Sequence, residues 1–107
     1  MPEEYRTIYI TCKNEEEAIA IGKSLVQNKL AACANIISSI KSIYQWEGSL
    51  VEDTESVLLL KSKESLVDQI IEHTKKIHSY QVPCILSYKI EKGNKDYLEW
   101  ILESTAC

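Results

Sequence analysis

A chain of 107 residues, 45% hydrophobic and 26% charged, has the size and balance of one ordinary globular domain spanning residues 1–107, which excludes a disordered or fibrous polymer. Its net charge of −4, with Arg6 as the sole arginine, leaves no phosphate-neutralising surface, so nucleic acid is not an expected partner. No apolar run approaches the roughly 18–20 residues that span a bilayer, and the acidic opening Glu3-Glu4-Tyr5-Arg6 lacks the apolar centre of a secretory signal. The expectation is a cytoplasmic protein with no membrane partner.

Tyr5 to Cys12 is rich in β-branched and aromatic residues and reads as a first strand. Asn14 then precedes Glu15, Glu16 and Glu17, which supply a helix cap, a capping-box carboxylate and negative charge at the positive end of a helix dipole. The helix runs through Ala18, Ile21, Gly22 and Leu25 to near Leu30, its small residues permitting close approach to a sheet. From Ala31 to Glu47, 17 residues without Gly or Pro alternate through Ala32, Ala34, Ile36, Ile40, Tyr44 and Trp46, a long strand. Gly48-Ser49 marks a reversal. The return strand starts at Leu50, passes an acidic patch at Glu52, Asp53 and Glu55 that reads as a solvated face, and enters Val57-Leu58-Leu59-Leu60, an apolar run suited to a central strand.

Ser62 is placed to cap a second helix whose apolar face is Leu66, Val67, Ile70, Ile71, Thr74 and Ile77. His78 to Pro83 is a connector, since Pro83 lacks an N–H and biases Val82 to extended backbone. A strand from Cys84 to Glu91 follows; Gly93-Asn94 turns the chain, and Asn94 caps a closing helix with Tyr97, Leu98, Ile101 and Leu102 inward. The order βαββαβ plus a terminal helix is an α+β, ferredoxin-like pattern. Cys12, Cys33, Cys84 and Cys107 have neither C-x-x-C nor zinc-finger spacing, which argues for thiols in a reducing compartment rather than a structural zinc site.

The hairpin is the anomaly. Seventeen extended residues would reach roughly 56 Å at about 3.3 Å per residue, against a radius of gyration of about 13 Å for a domain of this length. The hairpin therefore bends near Ser38-Ser39 or projects, exposing Tyr44, Trp46, Leu50 and free strand edges. Such edges call for a covering chain, and closed cyclic self-association is the expected answer.

Five segments carry a resemblance: Leu30-Ala31-Ala32-Cys33-Ala34-Asn35-Ile36, Tyr44-Gln45-Trp46-Glu47-Gly48, Leu59-Leu60-Lys61-Ser62, His78-Ser79-Tyr80-Gln81-Val82-Pro83 and Asp96-Tyr97-Leu98-Glu99-Trp100. In order and spacing the chain resembles the CutA divalent-cation-tolerance proteins from about Tyr9 to Trp100. The resemblance implies a homotrimer similar in assembly to PII signalling proteins, with a projecting hairpin and no obligatory cofactor, that binds metal ions, copper foremost. The bacterial copper-site pattern places a Cys and a His-His pair where this chain has Ile10, Ile77 and His78. His78 therefore remains, and Cys12, on the same strand face as Ile10, is the substitute ligand.

Cys33, Tyr44, Trp46, Lys61 and Tyr80 are the expected lining of a cleft between subunits, where Lys61 beside a helix N-terminus would hold an anionic metabolite. Tyr44, Trp46, Glu47 and Trp100 are the expected oligomer contacts. No P-loop, dinucleotide fingerprint or nucleophile–base motif is present, so no enzyme activity is expected. An adaptor trimer presenting the hairpin to another protein is the alternative reading.

Overall fold

Alternation along β1 (Tyr5–Cys12) turns Ile8, Ile10 and Cys12 to one side, and all three are fully buried. They pack against α1 (Glu15–Gln27), which presents Ala18, Ile21, Gly22 and Leu25. In the computed structural model, which describes residues 3–106, β2 (Cys33–Trp46) and β3 (Ser49–Lys63) form the long hairpin. A single 3-10 turn (Glu64–Leu66) leads into α2 (Val67–Ile77), followed by β4 (Ile85–Ile90) and α3 (Lys95–Glu103). Cys107 lies outside the described residues.

The sheet order is β2-β3-β1-β4 with antiparallel neighbours throughout, the ferredoxin-like arrangement. β3 is internal, as the apolar run Val57–Leu60 requires. Leu58 and Leu60 enter the same cluster as Ile8, Ile10, Ile21, Leu25 and Ile70. Each such side chain contributes roughly 1.5–3 kcal/mol by leaving water. Gly22 sits where the first helix crosses the sheet: a Cβ there would lie 3.1 Å from both Ala34 Cβ and Leu58 Cδ1.

β3 has 15 residues and β1 has eight, and their pairing ends at Cys12↔Ser56. Beyond that point Ser49–Glu55 pairs only with β2, down to Trp46↔Ser49. The hairpin thus leaves the sheet as a two-stranded ribbon, and the principal extents are 46 × 25 × 22 Å. A bulge between Ile37 and Ile40 redirects it at the expected Ser38-Ser39, and the Ser56 hydroxyl holds the bulge by donating to Ser38 O at 2.7 Å.

Several local expectations need correction. The reversal is one residue earlier than Gly48-Ser49: Glu47 (φ 50°) and Gly48 (φ 82°) form the loop, both left-handed as a primed two-residue turn demands. Ser62 caps no helix. β3 continues through it, and its buried hydroxyl donates to Leu30 O at 2.6 Å, so tertiary pairing claimed the residue before helix capping did. α2 begins without a side-chain cap. In α3 only Ile101 is fully buried, while Tyr97 and Leu102 remain about 40% exposed (41% and 40%), because one short helix on the sheet margin has a single face to cover. Asn14 and Asn94 cap as expected, each accepting a backbone N–H at 2.9 Å. Cys12, Cys33 and Cys84 are free thiols.

Replacement Gly22→Val overpacks the contact with Ala34 and Leu58. It is expected to lower stability by about 1–3 kcal/mol in chemical denaturation at fixed chain concentration.

Candidate metal centre and hairpin cleft

The end of β1, the first turn of α1 and the connector after α2 meet at one point. There Cys12, Glu17 and His78 each bring a ligand-type atom within 4.8 Å of the others. Cys12 and His78 were legible as a pair. Glu17 was legible only as a capping residue, because its spacing from Asn14 has a complete local explanation; nothing local signals that its carboxylate also reaches the connector.

The three groups form a clamp. Glu17 Oε1 accepts the Lys13 N–H at 3.0 Å and Oε2 accepts the Ser79 N–H at 2.9 Å, tying the helix start to residues 62 positions away. Burial alone would raise the Glu17 carboxyl, but these backbone donors, with the nearby His78, outweigh it and hold the group below its ordinary range. His78 Nδ1 accepts the Tyr80 N–H at 3.0 Å, so the ring proton sits on Nε2, which donates to Thr11 O at 2.8 Å. Cys12 is fully buried, and its thiol is pushed up to about 12, first by burial and then by the charges of Glu17 and Glu55. At neutral pH it is protonated.

A second feature lies beside the clamp. The inner face of the ribbon and the connector enclose a cleft of about 410 Å³ lined by Tyr44, Trp46, Asp53, Glu55, Tyr80 and the Thr11 and Cys84 margins. The expected solvated acidic face holds for Glu52 and Asp53, which are exposed, and is corrected at Glu55. Glu55 is only 8% exposed, because the connector folds over it and the Tyr80 hydroxyl donates to its Oε2 at 2.7 Å. Burial first, and then that bond, raise the Tyr80 hydroxyl above its ordinary range. Partial desolvation and then the Asp53 and Glu55 charges raise Tyr44 as well.

The five residues expected to share a cleft divide within one chain. Tyr44, Trp46 and Tyr80 line the acidic cleft, while Cys33 borders a separate groove of about 370 Å³ between α1 and the outer edge of β2. Lys61 lines neither; it is the cross-strand partner of Cys33 and donates to Asn35 Oδ1. The helix N-terminus expected beside Lys61 is displaced by the continuation of β3, and Glu64 occupies the first turn there. Of the expected oligomer contacts, Trp46 (55%), Tyr44 (41%) and Trp100 (42%) are exposed large side chains, Trp100 stacking on Tyr97 with ring centroids 5.4 Å apart. Glu47 stands at the exposed ribbon tip.

The described helices include none long and apolar enough to cross a membrane. Residues 6–104 match the family model described as CutA1 divalent ion tolerance protein. A chloroplastic CutA protein of Oryza sativa is 43% identical over 98 residues, covering 92% of this chain and 55% of that protein. A CutA homologue of Xenopus laevis is 45% identical over 93 residues, covering 87% of this chain and 62% of its own. The chain thus spans little more than half the length of these plant and animal relatives. A divalent-cation tolerance protein CutA of Thermus thermophilus is 43% identical over 98 residues and is covered over 95% of its length. Among solved structures, the rice CutA1 crystal structure superposes with a TM-score of 0.94 at 41% identity, covering 96% of this chain and 94% of that one. The Thermus structure gives 0.92 at 41% identity, with 95% and 99% covered. A match through every strand and helix, at this identity, makes the chain a member of the CutA1 divalent ion tolerance family.

Proposed function

We propose that this protein assembles as a homotrimer through its ribbon and helix-free sheet face, and in that form binds divalent metal ions, copper foremost, in a tolerance role without catalysis. The observation that carries the metal reading is the convergence of Cys12, Glu17 and His78. Thiolate and imidazole are donor types that suit Cu(I) or zinc by softness, and Glu17 adds an oxygen. The donor chemistry fits, but every donor is engaged: Cys12 must lose its proton, and His78 must release Tyr80 N–H or Thr11 O. Capture is therefore a displacement. The cytoplasm is the proposed compartment, although the rice and Arabidopsis thaliana relatives are described as chloroplastic.

Assembly is supported by what the single chain leaves uncovered. The ribbon face opposite Tyr44 and Trp46 carries Ile43 (66% exposed) and Leu50 (72% exposed), which no described part of the chain covers. The sheet face without α1 and α2 exposes Ile37, Leu86 and Tyr88. β2 is also a 14-residue edge strand with unpaired backbone groups. A long edge and a two-stranded ribbon are poor end states in water, and a closed ring of copies removes both.

Light scattering is expected to give three times the 12.2 kDa chain mass, and Ile43→Asp combined with Leu50→Asp is expected to give monomer. A monomeric parent chain would end the assembly reading.

For the metal, calorimetric titration of reduced, metal-free protein with copper is expected to show binding that weakens at least about tenfold in Cys12→Ser and in His78→Ala. The sign with pH follows from the raised thiol: binding releases its proton, so affinity falls as pH drops from mildly alkaline to mildly acidic. Copper affinity unaltered by either substitution would place the ion elsewhere.

A further inference from the structure

The cleft under the ribbon uses neither Cys12 nor His78 as a ligand, and its chemistry differs from theirs. Its charged lining is Asp53 and Glu55, with no Lys, Arg or His. Glu55 is 8% exposed, and none of the ion pairs among the described residues reaches it; its partner is the neutral Tyr80 hydroxyl. A buried carboxylate without a counter-charge is costly, and an incoming cation offsets that cost.

The other walls decide which cation. Tyr44, Trp46 and Tyr80 border the same space, and aromatic faces attract cations through their negative quadrupole while also taking apolar surface out of water. A volume of about 410 Å³ is that of a small-molecule site and far larger than a bare ion needs. Clustered ligand atoms suited to a metal occur instead at Cys12, Glu17 and His78. Two carboxylates repel an anion, and a neutral apolar guest would leave both uncompensated.

We infer that this cleft binds a small organic ammonium ion, its alkyl groups against Tyr44, Trp46 and Tyr80 and its charge facing Asp53 and Glu55. Connector and ribbon form opposite walls, so the guest ties residues 80–84 to the hairpin. The assignment is independent of the metal reading.

The test is calorimetric titration of the full-length chain with tetramethylammonium chloride at constant ionic strength, against neopentyl alcohol as a neutral guest of similar shape and magnesium chloride as a bare cation. Light scattering on the same samples records the assembly state. Saturable binding of tetramethylammonium is expected, with both comparators at least about tenfold weaker. Asp53→Asn and Trp46→Ala, both at exposed positions, are each expected to weaken it about tenfold, with Cys12→Ser leaving it unchanged. Asp53→Asn keeps the test decisive if Trp46→Ala alters assembly. Absence of saturable binding overturns the inference, including the case in which a second copy fills the cleft and Trp46→Ala dissociates it. Equal binding of neopentyl alcohol or magnesium, or full affinity in both cleft variants, overturns it equally.

Discussion

β3 outruns the strand it is built upon. β1 supplies eight residues of pairing and stops at Cys12↔Ser56, while β3 and its partner β2 continue to the turn at Glu47-Gly48. Everything unusual in the molecule follows from that mismatch. Behind Ser56 the chain is an ordinary two-layer fold, with Ile8, Ile10, Leu58 and Leu60 under α1 and α2. Ahead of it the same strands have no third strand and no helix, so their edges and faces depend on something outside the chain. The bulge at Ser38-Ser39, held by Ser56, marks the point where one regime gives way to the other.

The connector from His78 to Pro83 lies where the sheet ends and borders both the ligand-type cluster and the acidic cleft. Its first residue locks onto β1 through Thr11 O, Ser79 onto α1 through Glu17, and Tyr80 onto β3 through Glu55. The rings of His78 and Tyr80 are 4.8 Å apart, so the polar clamp and the wall of the acidic cleft are consecutive parts of one short segment. His78 Nδ1 accepts the Tyr80 N–H, so the ligand-type cluster and the aromatic cleft are chemically distinct neighbours that share a hydrogen bond rather than a ligand.

The proton inventory of this region is coherent. Buried Cys12 holds its proton, Tyr80 and Tyr44 hold theirs beside carboxylates, and Glu17 stays ionised because backbone donors face it. The region is thus anionic through Glu17, Asp53 and Glu55, with neutral donors arranged around them.

Strand and helix order, the caps at Asn14 and Asn94, the central place of Val57–Leu60 and the length of the hairpin were all written locally, in periodicity, capping spacing and the absence of Gly and Pro from Ala31 to Glu47. His78 was marked by the family resemblance and Cys12 by its place two residues along the strand from Ile10. The rest depended on partners distant in sequence. Ser62 looks like a helix cap until Leu30 O claims its hydroxyl, and Glu17 looks like a capping carboxylate until Ser79 arrives beside it. Glu55 reads as a solvated charge until Tyr80 covers it, and the helix start read beside Lys61 gives way to the continuation of β3. By itself the sequence determined the elements and their family, because backbone propensity and hydrophobic period act over a few residues. Only the tertiary structure decided which polar side chains face one another, because that depends on where a connector closes across residues some sixty positions apart.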